Sequence, residues 1–145
     1  MKHRVVGRLT AAASLGLFML PALAHHSDAG RYDENTVVIS GTVVALRFVN
    51  PHSSIVLDVE EEGKTVRWQV EMGSPRNLSQ TFGWTAETLK PGDKITLTGR
   101  RAKTGAPFLN LTERAQIRRT DSGEELFRTA NYGEAAGDTA PASGY

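Results

Sequence analysis

The stretch that most limits what this chain can become covers residues 36–72. Runs of strand formers there are broken by Asn50-Pro51-His52 and by Glu60-Glu61-Glu62-Gly63-Lys64. Proline fixes its own φ and has no N–H to give a ladder, so Asn-Pro ends one strand and begins a turn. The run before it, 36–49, reads as one long strand with Gly41 inside it, and a glycine in a strand marks a bulge or a sharp bend. A long strand bent in this way can pair with two different neighbours, which is how small barrels close. After the turn, Ile55, Leu57 and Val59 alternate with Ser54, Val56 and Asp58. Beyond the charged hairpin, Val66, Trp68, Val70 and Met72 alternate with Thr65, Arg67, Gln69 and Glu71. A period of two predicts half-buried antiparallel strands with a well-specified register.

Gly73-Ser74-Pro75 ends the third strand and offers a helix start, with Ser74 as cap and Pro75 at the first helical position. Thr85, with Thr88 three residues on, is a second candidate cap, and Lys90-Pro91-Gly92-Asp93 would stop a helix of about two turns there. Residues 94–101 read as a fourth strand with Ile95, Leu97 and Gly99 on one face. Residues 103–107 read as a loop and 108–118 as one fifth strand. Three strands, a short helical connection and two more strands match the OB-fold, a partly open five-stranded Greek-key barrel. Its binding surface uses strands 2 and 3 and the loops 1–2 and 4–5, here the loops holding His52 and residues 103–107. The expected fold is all-β, a small OB-like barrel of five to six antiparallel strands with one short helix between strands 3 and 4. A β-sandwich would need more strands and no helix.

Four parts are expected along the chain. Lys2, His3, Arg4 and Arg8 precede an apolar run over 9–20, and Ala22-Leu23-Ala24 has the Ala-x-Ala form of a signal-peptidase site. The apolar run is well short of the ~20 residues that span a bilayer. Residues 1–24 are therefore read as a cleaved signal peptide, with export to the periplasm and no membrane span afterwards. Residues 25–35 form a flexible N-terminal segment, 36–127 the barrel, and 128–145, small and polar, a disordered tail. Cleavage removes Lys2, Arg4 and Arg8 and leaves 14 basic against 16 acidic side chains, so the net charge goes from +1 to −2. That balance argues against a nucleic-acid partner. The chain has no cysteine, so packing alone, or a bound ligand or metal, must hold the domain together.

As a set, several motifs resemble an uncharacterised family of small exported bacterial proteins. They are Ala24-His25-His26-Ser27, Gly41-Thr42-Val43, Asn50-Pro51-His52 and Glu71-Met72-Gly73-Ser74-Pro75, followed by Gly83-Trp84-Thr85, Leu89-Lys90-Pro91-Gly92-Asp93 and Gly99. The resemblance covers residues 25–127 and implies export and a compact barrel-like domain. It implies no reaction.

His25, His26 and His52 are the one constellation with chemistry in prospect. With cleavage after Ala24, the free α-amino nitrogen and imidazole of His25 could chelate an ion together. His52 would supply a further nitrogen, and Glu71 or Asp58 an oxygen. Imidazole suits copper and zinc, and a chelating chain end suits Cu(II). Unpartnered, His25-His26 would be a solvated chain end and His52 a turn residue bonded to a nearby carbonyl. The alternative is a metal-free module that uses Arg67, Gln69, Glu71 and the 103–107 loop to hold an envelope protein, peptide or small ligand, with Trp84 lining a pocket or plugging the barrel. Catalysis is not the expected role, because His52-Ser53-Ser54 with Asp58 has triad residue types but no nucleophile elbow.

Overall fold

A computed structural model describes residues 30–135. The expected signal peptide, His25 and His26, and residues 136–145 lie outside the described residues. Strand β1 spans Tyr32–Arg47 and is the spine of the fold. Its first part, up to Thr42, pairs antiparallel with β4 (Lys94–Ala102), and from Thr42 onward it pairs antiparallel with β2 (Ser54–Glu61). β2 forms a hairpin with β3 (Lys64–Glu71) through Glu62 and Gly63, both at positive φ, the conformation of a type I′ turn. β3 then pairs parallel with β5 (Phe108–Asn110), and β5 pairs antiparallel with β4. The circuit β1-β2-β3-β5-β4-β1 closes a five-stranded barrel, the Greek-key order of the OB-fold.

The long first strand serves both neighbours because Gly41 lets a second backbone come close. A Cβ at Gly41 would sit 2.4 Å from the Asp58 carbonyl oxygen and 2.9 Å from Leu57 Cγ. The register irregularity itself falls between Val43 and Ala45, just past the glycine. Gly99 does the same for β4, where a Cβ would meet Leu111 Cδ2 at 2.5 Å and the Asn110 carbonyl oxygen at 2.8 Å.

Period-two patterning comes out as read. Ile55, Leu57 and Val59 from β2 meet Trp68, Val70 and Met72 on one side of the barrel interior, and Ile95, Leu97, Leu109 and Ile117 on the other. Helix α1 (Pro75–Phe82) starts where Ser74 and Pro75 predict it. The Asn77 backbone N–H donates to Ser74 Oγ, Gly83 ends the helix in the left-handed region, and Leu78 is buried in the core.

Three local expectations change. The fifth strand is not continuous over 108–118. It breaks after β5 and resumes as β6 (Gln116–Arg119), which continues along β4. The cause is the link between them. Asn110 is buried, its side-chain oxygen accepts from the Thr112 backbone N–H and hydroxyl, and Arg114 sits at φ 49. A further strand, β7 (Glu125–Arg128), pairs with β6, so the sheet has seven strands and one parallel pairing. No helix follows Thr85. The Thr85 N–H donates to Thr88 Oγ1, and the Glu87 N–H to Thr85 Oγ1. These bonds fold the segment as a turn instead.

The folded region also reaches past the expected edges. Tyr32 is buried and stacks on Phe108, and the buried Arg100 and Arg114 donate to the backbone carbonyls of Asp33 and Glu34. At the other end, Thr129 is bonded to Ala115, and Asn131 Oδ1 accepts from the Arg114 N–H.

The turn before β4 depends on one carboxylate. Asp93 Oδ2 accepts from the Lys90 N–H at 3.0 Å and lies 3.3 Å from the Arg119 guanidinium. The Lys90 N–H first and Arg119 second hold this carboxyl below its ordinary value of 3.8. A depressed folded-state value adds stability above the unfolded value, and that contribution is lost as pH falls through the folded one. Asp93→Asn should therefore lower the Tm near pH 7, with the difference from wild type shrinking below about pH 5. A difference that stays constant under acid would contradict this role.

Candidate functional site

Register positions the first candidate. Counting back from the two-residue turn at Glu62-Gly63, Ser54 lies opposite Glu71. Ser53 extends the ladder, its N–H donating to the Gly73 carbonyl and its carbonyl accepting from the Met72 N–H. Inward and outward sides alternate along a strand. Ser53 therefore faces in and is fully buried, while His52 and Glu71 reach the outside. The Asn50–Pro51 peptide of this turn is cis.

His52 Nδ1 lies 3.2 Å from Glu71 Oε1, with the two side chains 54% and 32% exposed. The approach is one of ion-pair distance, and it sets a carboxylate oxygen beside the Nδ1 edge of the ring. The carboxylate occupies the Nδ1 side of the ring and leaves the Nε2 side for another partner. Glu71 is thus the acidic neighbour of His52 on the outer face of the hairpin.

The remaining sequence candidates are placed elsewhere. Asp58 sits four residues further along β2 and is held bidentate by Arg67, Nε to Oδ1 at 2.9 Å and a terminal nitrogen to Oδ2 at 3.0 Å. The Arg67 hydrogen bonds push the Asp58 carboxyl down, and Asp58 in turn pushes Arg67 up. The Arg67 fork is therefore engaged on its own strand neighbour, and Asp58 is engaged with it.

Trp84 is 2% exposed and belongs to the core. Its indole N–H donates to the Leu126 carbonyl at 2.8 Å and its ring meets Phe127 edge-on. Trp68 is also buried, with its N–H on Glu61 and Arg101 above its ring. Loop 103–107 does reach β3, since the Gln69 N–H donates to the Pro107 carbonyl. Among the described residues, no group of three or more His, Cys, Asp or Glu side chains comes together.

Sequence reasoning missed a cavity of about 690 Å³ between α1 and the segment after β7, with Leu111, Phe82, Phe127 and Tyr132 among its lining. Tyr132, an aromatic residue in a stretch otherwise small and polar, was the available signal.

A family model described as a family of unknown function (DUF6152) matches residues 13–108, more than half of the chain. No curated protein matches.

Proposed function

The chain belongs to that family of unknown function, and from its own residues we propose that it is an exported, periplasmic protein that binds a transition metal, copper or zinc, through His52 and the histidines of its mature N-terminus. The observation that carries this reading is the His52–Glu71 contact, which turns one imidazole nitrogen to a carboxylate and leaves the other for a ligand. In this reading Glu71 backs the His52 imidazole from the Nδ1 side.

One imidazole is too few donors for a tight site, and Asp58 is committed to Arg67. The missing donors would be His25 and His26, with the α-amino group that cleavage after Ala24 would free beside His25. Nitrogen donors of this kind favour Cu(II) over harder ions. Bound metal would hold two distant parts of the chain together in a domain that has no disulfide.

Thermal unfolding of metal-free protein beginning at His25, its start verified by mass, tests the reading. A ligand that binds only the folded state stabilises by RT ln(1 + [L]/Kd), so Cu(II) or Zn(II) at about 100 times Kd adds roughly 2.7 kcal/mol. His52→Ala should remove most of that shift. Glu71→Ala should weaken affinity by about 10- to 100-fold, and Arg67→Ala should leave the metal response intact. Absence of a shift with either ion would overturn the metal reading and favour a metal-free module that uses the outer face of β2 and β3.

A further inference from the structure

The cavity between α1 and the segment after β7 has the marks of a ligand site independent of the histidines. Its volume, about 690 Å³, falls within the range of small-molecule pockets. The apolar surface comes from Leu111 and Phe127, both buried, together with Phe82 and Tyr132. Phe82 and Phe127 pack against each other with ring centroids 4.7 Å apart.

The far wall is not a loose strand end. The Thr129 N–H donates to the Ala115 carbonyl, the Ala115 N–H to Thr129 Oγ1, and the Tyr132 N–H to the Thr129 carbonyl, while Asn131 Oδ1 accepts from Arg114. The cavity is therefore formed before any ligand arrives.

Its polar groups set the class of ligand. Ser74 Oγ caps the helix, Thr112 Oγ1 donates to Asn110, and Thr129 Oγ1 is tied to Ala115. That leaves Asn77, Thr81 and Arg128 to meet a guest. Among the described residues that line the cavity, Arg128 alone is charged. Its neighbour Glu125, 3.4 Å away, also accepts from Gln116 and lies 3.6 Å from Arg118. Glu125 is thus shared among three donors and does not line the cavity, which leaves Arg128 as the one charge on its lining. An apolar, aromatic interior with one arginine on its lining suits a molecule with an apolar body and one anionic head.

We propose that this cavity binds a small amphipathic anion, a carboxylate carried on an aliphatic or aromatic body, with Arg128 at the head group and the Phe82–Phe127 pair along the body. Decanoate is the probe and 1-decanol its neutral counterpart, each titrated into purified protein below the concentration at which it self-associates. Decanoate should bind saturably at one site and raise the Tm, with decanol at least tenfold weaker. Arg128→Ala should abolish the difference between the two. Thr81→Trp, a change at an exposed helix position that fills the cavity rather than the core, should weaken both at least tenfold.

Absence of saturable binding, equal binding of the two probes, or binding indifferent to Thr81→Trp would each overturn the proposal. A response that emerges only after residues 136–145 are removed would assign the cavity to the chain's own C-terminal segment and overturn it as well. Adding Cu(II) or replacing His52 should leave decanoate binding unchanged, which keeps this test separate from that of the metal site.

Discussion

Trp84→Ala is expected to cost about 3–5 kcal/mol, the range for deleting a large aromatic ring from a packed core. For a folded region of this size that lowers the Tm by something on the order of 15–30 °C. Trp84 is 2% exposed and closes the end of the barrel under α1, edge-on to Phe127 and bonded through its indole N–H to the Leu126 carbonyl. Removing it opens a large void and also leaves a part-buried carbonyl without its donor. Trp84→Phe separates the two effects, because it keeps most of the ring contact and loses the hydrogen bond. The phenylalanine variant should lose about 1–3 kcal/mol, the cost of an orphaned part-buried acceptor together with modest repacking. Because Leu126 and Phe127 lie on β7, the alanine variant should also loosen the cavity wall and raise amide exchange over 125–132. A loss below about 1 kcal/mol would show that the barrel end closes without this ring, contrary to the packing described.

Gly41→Ala is the second large effect, from a single methyl group. That methyl would be placed 2.4 Å from the Asp58 carbonyl oxygen and 2.9 Å from Leu57 Cγ. The obstacle is a backbone oxygen in the β1–β2 ladder, so the strands themselves must part, at a cost of about 1–3 kcal/mol or more. The strain falls where β1 passes from β4 to β2, at Thr42, which pairs with Lys94 on one side and Asp58 on the other. Gly73→Ala is the internal contrast. Its new methyl would find its nearest atom at 3.5 Å, an ordinary contact, and its backbone is not in the left-handed region. That change should be neutral or stabilise by up to about 1 kcal/mol through the unfolded state. Equal losses from the two substitutions in chemical denaturation would refute the close-approach argument.

Much of the barrel was legible because its signals are local and reinforce one another. In β2 and β3 the period of two fixes which side chains face inward, and the tight turn at Glu62-Gly63 fixes the register between them. Ser74 and Pro75 announce α1 by chemistry confined to its first turn. Asn50-Pro51 marks the end of β1's run in the same way. What stayed hidden depends on partners distant in sequence. The break in the fifth strand follows from a buried Asn110 that bonds Thr112 and from the left-handed Arg114, and neither shows in the apolar pattern. The segment after Thr85 carries an ambiguous signal, because Thr85 with Thr88 three residues on fits a helix cap and also the pair of bonds that closes a turn. β7 is only four residues long, too short for a clear period of two, and besides its pairing with nearby β6 it is held by the distant Trp84.

For the candidate site, placement within the hairpin is the part the sequence carries. The position of His52 beside Glu71 follows from hairpin register, whereas the 3.2 Å approach of Nδ1 to Oε1 is visible only in the structure. The capture of Asp58 by Arg67 also follows from register, since the two residues are directly paired across β2 and β3. The cavity was out of reach, because its far wall lies in a segment whose composition reads as tail.

Calorimetric titration of Cu(II) into metal-free protein, in a form beginning at His25 and in one beginning at Gly30, tests the central claim most directly. The account predicts one tight site in the longer form, lost with His52→Ala and weakened by Glu71→Ala. The shorter form, which keeps the His52–Glu71 pair but lacks both N-terminal histidines, should bind at least a hundredfold more weakly. Equal affinity in the two forms, or tight binding that survives His52→Ala, would contradict it.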